Sequence, residues 1–226
     1  MVAAGRCDLP GRADPRVGPA SPRRGEAHTS YPETVIAQPL ATGAFSAVRR
    51  CVEDHQWGER VTVSPLPAPT RIAPEALALD ATVRERGEVV ANGRLIVLHD
   101  PAGNESWQGE HRLVTMARAD VDPDMAVDPL LAEVAWSWLT DALNHHRADH
   151  LAAAGTATTV LSRPFGTMDG DPPTHRVELR ASWTPCLSRP EDVEAHLAAW
   201  QDLLLLTAGL PPLPEGVVPI APRRAL

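Results

Sequence analysis

The tightest constraint in this chain is the strict alternation of "EALALDATVRER" and "HRVELRASW". In the first stretch Leu77, Leu79, Ala81 and Val83 fall on one side, with Asp80, Thr82 and Arg84 on the other. In the second, Val177, Leu179, Ala181 and Trp183 oppose Arg176, Glu178, Arg180 and Ser182. A period of two sends successive side chains to opposite faces of a strand, so each stretch is apolar on one face only. Strands of this kind belong in an antiparallel sheet with one face covered. A helical bundle and a sheet buried on both sides are excluded.

The covering layer is legible too. In "TGAFSAVRRCVEDHQWG" Thr42 can cap a helix, Phe45, Val48 and Val52 recur at helical spacing, and Gly58 can close it. The proline-rich "SPLPAPTRIAP" reads as a connection to the first alternating strand. "GRLIVLHD" and "HRLVTMARAD" follow as strands, and short links predict a three-stranded meander. "DPLLAEVAWSWLTDALNHHRADH" is a helix with Asp128 as cap and Pro129 at its first position. It has one apolar stripe in Leu131, Val134, Trp138 and Ala142, and a second in Trp136, Leu139 and Leu143.

"TATTVLSRPF" reads as a strand, joined to "HRVELRASW" by the polar turn "GTMDGDPPT". "PEDVEAHLAAWQDLLLLTAG" closes the pattern as a helix with proline and acids at its start and Gly209 past its end. The order α-β-β-β-α-β-β-α predicts an α+β fold in two layers, an antiparallel five-stranded sheet with helices on one face. Residues 40–213 are expected to form this single domain. Residues 1–39, rich in Pro, Gly and Arg, read as a disordered tail, and 214–226 as a flexible C-terminal tail.

Composition narrows the chemistry. All 21 basic residues among the 226 are arginine, so no Schiff-base, phosphate-loop or kinase-type lysine is available. A net charge of −8 argues against nucleic acid or an acidic membrane as partner. Three scattered cysteines, Cys7, Cys51 and Cys186, make neither a disulfide framework nor a zinc knuckle. With no bilayer-length apolar run, the expected location is the cytoplasm. No G-x-S-x-G elbow or dinucleotide fingerprint occurs, and no cofactor is expected.

The segment "GRLIVLHDPAGNESWQGEHRLVTMARADVDPDMAVDPLLAEVAWSWLTDAL" resembles the actinobacterial domain of unknown function 3000 family, with "ELRASWTP" and "HLAAWQDLLLLTAGLPP" similar to its later segments. The likeness runs from about Phe45 to Pro212, with "HDPAG" through "WQG" and "WSWLT" its most distinctive parts. It implies no activity, cofactor or catalytic residue. The element order is also similar to that of type III secretion chaperones and related small proteins. That resemblance implies a non-enzymatic and often dimeric protein.

Candidate sites fall in five places. "HDPAGNESWQGEHR" sets His99 and His111 near each other across a hairpin mouth. His99 could act as a base oriented by an acid such as Asp100, with Arg112 gripping an anion and Trp107 binding beside them. The competing view is a structured turn with Trp107 as a lid. "HHRADH" puts His146 and His150 one helical turn apart, a weak zinc-ligand pair that lacks an assignable third donor.

"DVDPDMAVD" imitates a calcium loop but carries Met125 and Leu131 where glycine and glutamate are required, so it reads as a solvated connection. Trp107, Trp136, Trp138, Trp183 and Trp200 are expected to be core, their N–H groups tied to carbonyls. Arg84, Arg112, Arg118, Arg176 and Arg180 should decorate the uncovered sheet face beside Val114 and Met116, with Glu178 and Asp80 neutralising some of them.

Two functions follow from these readings. The first is a non-enzymatic protein-interaction or chaperone-like module that uses the open sheet face, with a protein partner or self-association, possible as a homodimer. The second is an enzyme or small-ligand binder at the His99–Arg112 hairpin.

Overall fold

A computed structural model describes residues 44–210. Both expected tails, and the cap expected at Thr42, lie outside these residues. The elements run α1 (Ala44–Asp54), β1 (Val61–Leu66), β2 (Glu75–Glu85), β3 (Glu88–Asn104), β4 (Gly109–Asp120), α2 (Pro123–Ala126), α3 (Leu131–His145), β5 (His150–Ser162), β6 (Thr174–Pro185) and α4 (Val193–Thr207).

The sheet has six strands in the order β1-β2-β3-β4-β6-β5, with every neighbour antiparallel. The α+β class and the covered face agree with the sequence; the count of five strands does not. The additional strand is β1, "VTVSPL", which overlaps the stretch read as a proline-rich connection. Its single proline is tolerated because β1 is an edge strand with only β2 as neighbour, and an edge leaves half of its amides without a sheet partner.

Alternation decides the two faces. The register stacks Leu79, Leu95, Thr115 and Ala181 across four strands, and Leu77, Val97, Leu113 and Trp183 beside them. These residues are buried on the side of α1, α3 and α4. Phe45, Val48 and Val52 of α1 are fully buried, as their spacing predicts. α1 nevertheless ends at Asp54, short of Gly58, whose amide instead donates to Gln201 of α4 at 2.6 Å.

α4 supplies Leu197, Trp200, Leu203 and Leu204 to the same core. It stops where Gly209 takes a φ of +70°, a left-handed turn that side chains on L-residues resist. The helix predicted from Asp128 begins at Leu131. Asp128 Oδ1 accepts the Leu130 amide at 2.8 Å, so it still satisfies a donor near the helix start. Val134, placed on a buried stripe by periodicity, is exposed.

The other face carries Arg94, Ile96, Arg112, Val114, Met116, Arg118, Arg176, Glu178 and Arg180. No described helix covers it. The expected arginine display is present only in part: Arg118 and Arg180 are exposed and Arg176 is half-buried, but Arg112 is buried. Glu178 pairs with Arg180 at 2.7 Å as expected, whereas Asp80 pairs with Arg94 at 3.7 Å and Arg176 with Asp120 at 3.0 Å, neither Arg94 nor Asp120 having been expected there. No described helix is long and apolar enough to cross a membrane.

Candidate functional site

The stretch from His99 to Arg112 is mostly strand. Only Glu105–Gln108 turns, steadied by Asn104 Oδ1 accepting the Ser106 amide at 3.0 Å. His99 and His111 are register partners on β3 and β4, with ring centroids 4.5 Å apart, as the hairpin reading expected. Both are 5% exposed, and the Phe45 ring stacks on His99 at 5.4 Å, nearly parallel.

The acid that orients His99 is Glu75 of β2, whose Oε2 is 2.7 Å from Nδ1. It is not Asp100. Glu75 is the cross-strand partner of His99, whereas Asp100 follows it along the chain and uses Oδ1 to accept the Ala102 amide. His111 is pushed down to about 4, first by burial and then by the neighbouring His99, so its imidazole is neutral at pH 7. Its Nε2 is buried without a hydrogen-bond partner.

Arg112 does not join the two histidines. As the residue after His111 it projects from the opposite sheet face, so the sheet itself separates the expected base from the expected anion grip. It is only 8% exposed and donates to Ala152 O at 2.9 Å, Thr184 Oγ1 at 3.0 Å and Ser182 Oγ at 2.7 Å. All three acceptors are neutral, and burial lowers its pKa. Its work is to hold β5 against β6. Trp107 is half-buried at the hairpin tip, and its carbonyl accepts from Thr184 Oγ1.

His146 and His150 are also separated. α3 ends at His145, and Arg147 takes a φ of 53°, which turns the chain into β5 before a further helical turn can form. His146 Nε2 instead meets Asp202 Oδ2 at 2.7 Å, while His150 Nδ1 lies 2.9 Å from Ala148 O.

Trp183 and Trp200 are fully buried, as expected of core. Their N–H groups go to side chains rather than carbonyls: Trp183 Nε1 to His196 Nδ1 at 3.1 Å, and Trp200 Nε1 to Thr115 Oγ1 at 2.8 Å. Both acceptors were missed from sequence. Thr115 in an otherwise apolar inward row was the available signal. Burial, then Glu191 and Glu194, raises the Cys51 thiol pKa, which leaves it unactivated.

On the uncovered face a groove of 450 Å³ crosses β3, β4, β6 and β5. Ile96, Val114, Met116 and Ala154 contribute apolar lining, and Arg94 and Arg180 contribute charge. Arg118 lies on the same face and is exposed, in cross-strand register with Glu178.

The family model described as "Protein of unknown function (DUF3000)" matches residues 41–218. The chain belongs to this family. No curated protein and no solved structure matches it. The match spans the whole sheet, all four helices, the hairpin and the groove, so both candidate sites lie within the DUF3000 region.

Proposed function

We propose that this DUF3000 protein is a non-enzymatic protein-interaction module working through its uncovered sheet face, with a second copy of itself as the first partner. One observation carries the reading: an apolar, arginine-flanked groove of 450 Å³ lies on a sheet face over which no described helix packs. Apolar surface gathered on an open face favours association.

The adjoining edge supports the same reading. β5 runs for 13 residues, and no residue from Leu151 to Ser162 is charged or proline. β1 at the opposite edge has six residues and a proline. Long, uncharged edges are templates for pairing with another strand, and two identical antiparallel edges can pair about a twofold axis. The hairpin residues give no comparable case for an enzyme: Asp100 accepts the amide of Ala102 on its own strand, and Arg112 is committed to Ala152, Thr184 and Ser182.

Light scattering on the full chain tests the proposal. A dimer mass is expected, falling to one chain in Arg180→Glu and in Met116→Glu, with the unfolding midpoint of each held near that of the parent protein. A single-chain mass for the parent at about 50 μM would reject self-association, since useful homodimers of this kind bind at about micromolar strength or better.

A further inference from the structure

The buried histidine pair at the base of the β3–β4 hairpin lacks a role in that interaction surface. It faces the helices rather than the groove. A nitrogen of His99, a nitrogen of His111 and a carboxylate oxygen of Glu110 all lie within 4.8 Å of one another. Two of the three residues are buried and Glu110 is half-buried, which distinguishes the group from a chance meeting of surface acids.

The buried Nε2 of His111 is without a partner, and it is the sole such side-chain nitrogen or oxygen among the described residues. Leaving a buried polar atom unpaired costs about 1–3 kcal/mol, so a bound species that takes up that nitrogen would stabilise the fold. Glu75 adds an independent feature. A carboxylate that accepts the N–H of one ring nitrogen fixes the tautomer and orientation of a metal-bound histidine and raises its basicity. Glu75 Oε2 stands 2.7 Å from His99 Nδ1, which leaves Nε2 as the ligand nitrogen. The Phe45 ring stacked on His99 restricts rotation of that imidazole and keeps water from one side.

We propose that His99, His111 and Glu110 bind a divalent first-row transition ion of the zinc type, with Glu75 as the carboxylate that orients His99. Two imidazoles and one carboxylate form the donor set that such ions favour over magnesium or calcium, which prefer oxygen. Ligand atoms around a tetrahedral zinc ion are about 3.4 Å apart, given bonds of about 2.0–2.1 Å. The three donors already lie within 4.8 Å of one another, and Glu110 has a rotatable side chain that can set its oxygen at that spacing. Glu110 precedes His111 beside the register shift between His99 and Asn104, where the strict alternation of faces is interrupted, and its carboxylate lies within 4.8 Å of the histidine nitrogens. Three protein donors leave a fourth position for water or a small ligand.

Sequence spacing alone could not identify this set. Glu110 adjoins His111, but His99 joins them through strand pairing, and Glu75 comes from a third strand.

The test is titration of metal-stripped full-length protein with Zn²⁺ by calorimetry and with Co²⁺ by visible absorption. One equivalent per chain is expected, with the intense d–d bands of a low-coordinate cobalt site. His111→Ala and Glu110→Gln should each weaken Zn²⁺ binding about 100-fold or more, and Glu75→Gln about 10–100-fold. Circular dichroism checks folding of each variant, and the half-buried Glu110→Gln provides the comparison if His111→Ala does not fold. His146→Ala, which removes the second cluster of His145, His146 and Asp202, should leave binding unchanged. Failure of the parent protein to bind one equivalent would overturn the proposal, as would binding lost in His146→Ala but kept in Glu110→Gln.

Discussion

At the scale of single residues, two positions show how close packing and burial set the cost of small changes. A Cβ on Gly93 would overlap Leu204 Cδ2, and Leu204 is fully buried, so it has little room to retreat. Gly93→Ala should destabilise the fold by about 1–3 kcal/mol, read from the urea midpoint. His196 presents a different cost. Its Nδ1 accepts from Trp183 Nε1, and burial lowers its pKa to about 4, with a smaller contribution from His150 and an opposing one from Asp192. The folded state then binds fewer protons than the unfolded state, whose histidine titrates near 6.5. Stability from this group is complete above about pH 6.5 and is lost as pH falls toward 4, on the order of 3 kcal/mol in all. His196→Gln keeps an acceptor for Trp183 and should flatten the pH dependence between pH 6.5 and 4; His111 supplies the remaining slope in the same direction.

At the scale of elements, the strands show why local pattern was readable for some segments and not for others. β2 and β6 pack one face and leave the other polar, so alternation reveals them at once. β1 is short, has a proline, and gains its strand identity by pairing Val61 with Val83 and Val63 with Ala81; its own residues carry little signal. β5 is held at its start by Arg112, which donates to Ala152 O within the irregular pairing between Leu151 and Ala154. Arg112→Ala should speed amide exchange in residues 150–156 more than in β2–β4, and lower global stability by about 2 kcal/mol. α4 and the sheet are joined through the Trp200–Thr115 hydrogen bond. Thr115→Val keeps the shape but leaves the indole N–H buried and unpaired, costing about 1–3 kcal/mol in chemical unfolding.

Across the whole molecule, the two faces of the sheet divide the work. The helix side supplies stability through a large core that runs from Phe45 to Leu204 and a smaller cluster of Leu131, Ala135 and Val177. The other side keeps an apolar groove among paired arginines, and changes there should affect association more than folding. Val114→Asp is accordingly expected to shift the melting temperature by no more than about 2 °C while reducing the mass seen by light scattering to one chain. Leu113→Asp, one residue earlier and fully buried, should prevent folding at the same temperature. The contrast between neighbours follows from alternation alone.

The sequence by itself determined the class, the covered face, the inward row of each alternating strand and the helical stripe of α1, because these depend on period and on apolar burial. It also brought His99 and His111 together, since a hairpin makes near-symmetric positions neighbours. Tertiary structure decided what meets across longer separations: Glu75 with His99, Asp202 with His146, His196 with Trp183 and Thr115 with Trp200. It also set Asp100 and Arg112 apart from the histidines and inserted β6 between β4 and β5. Period is a property of neighbouring residues, whereas partnership depends on strand register and helix placement, which only the packed chain possesses.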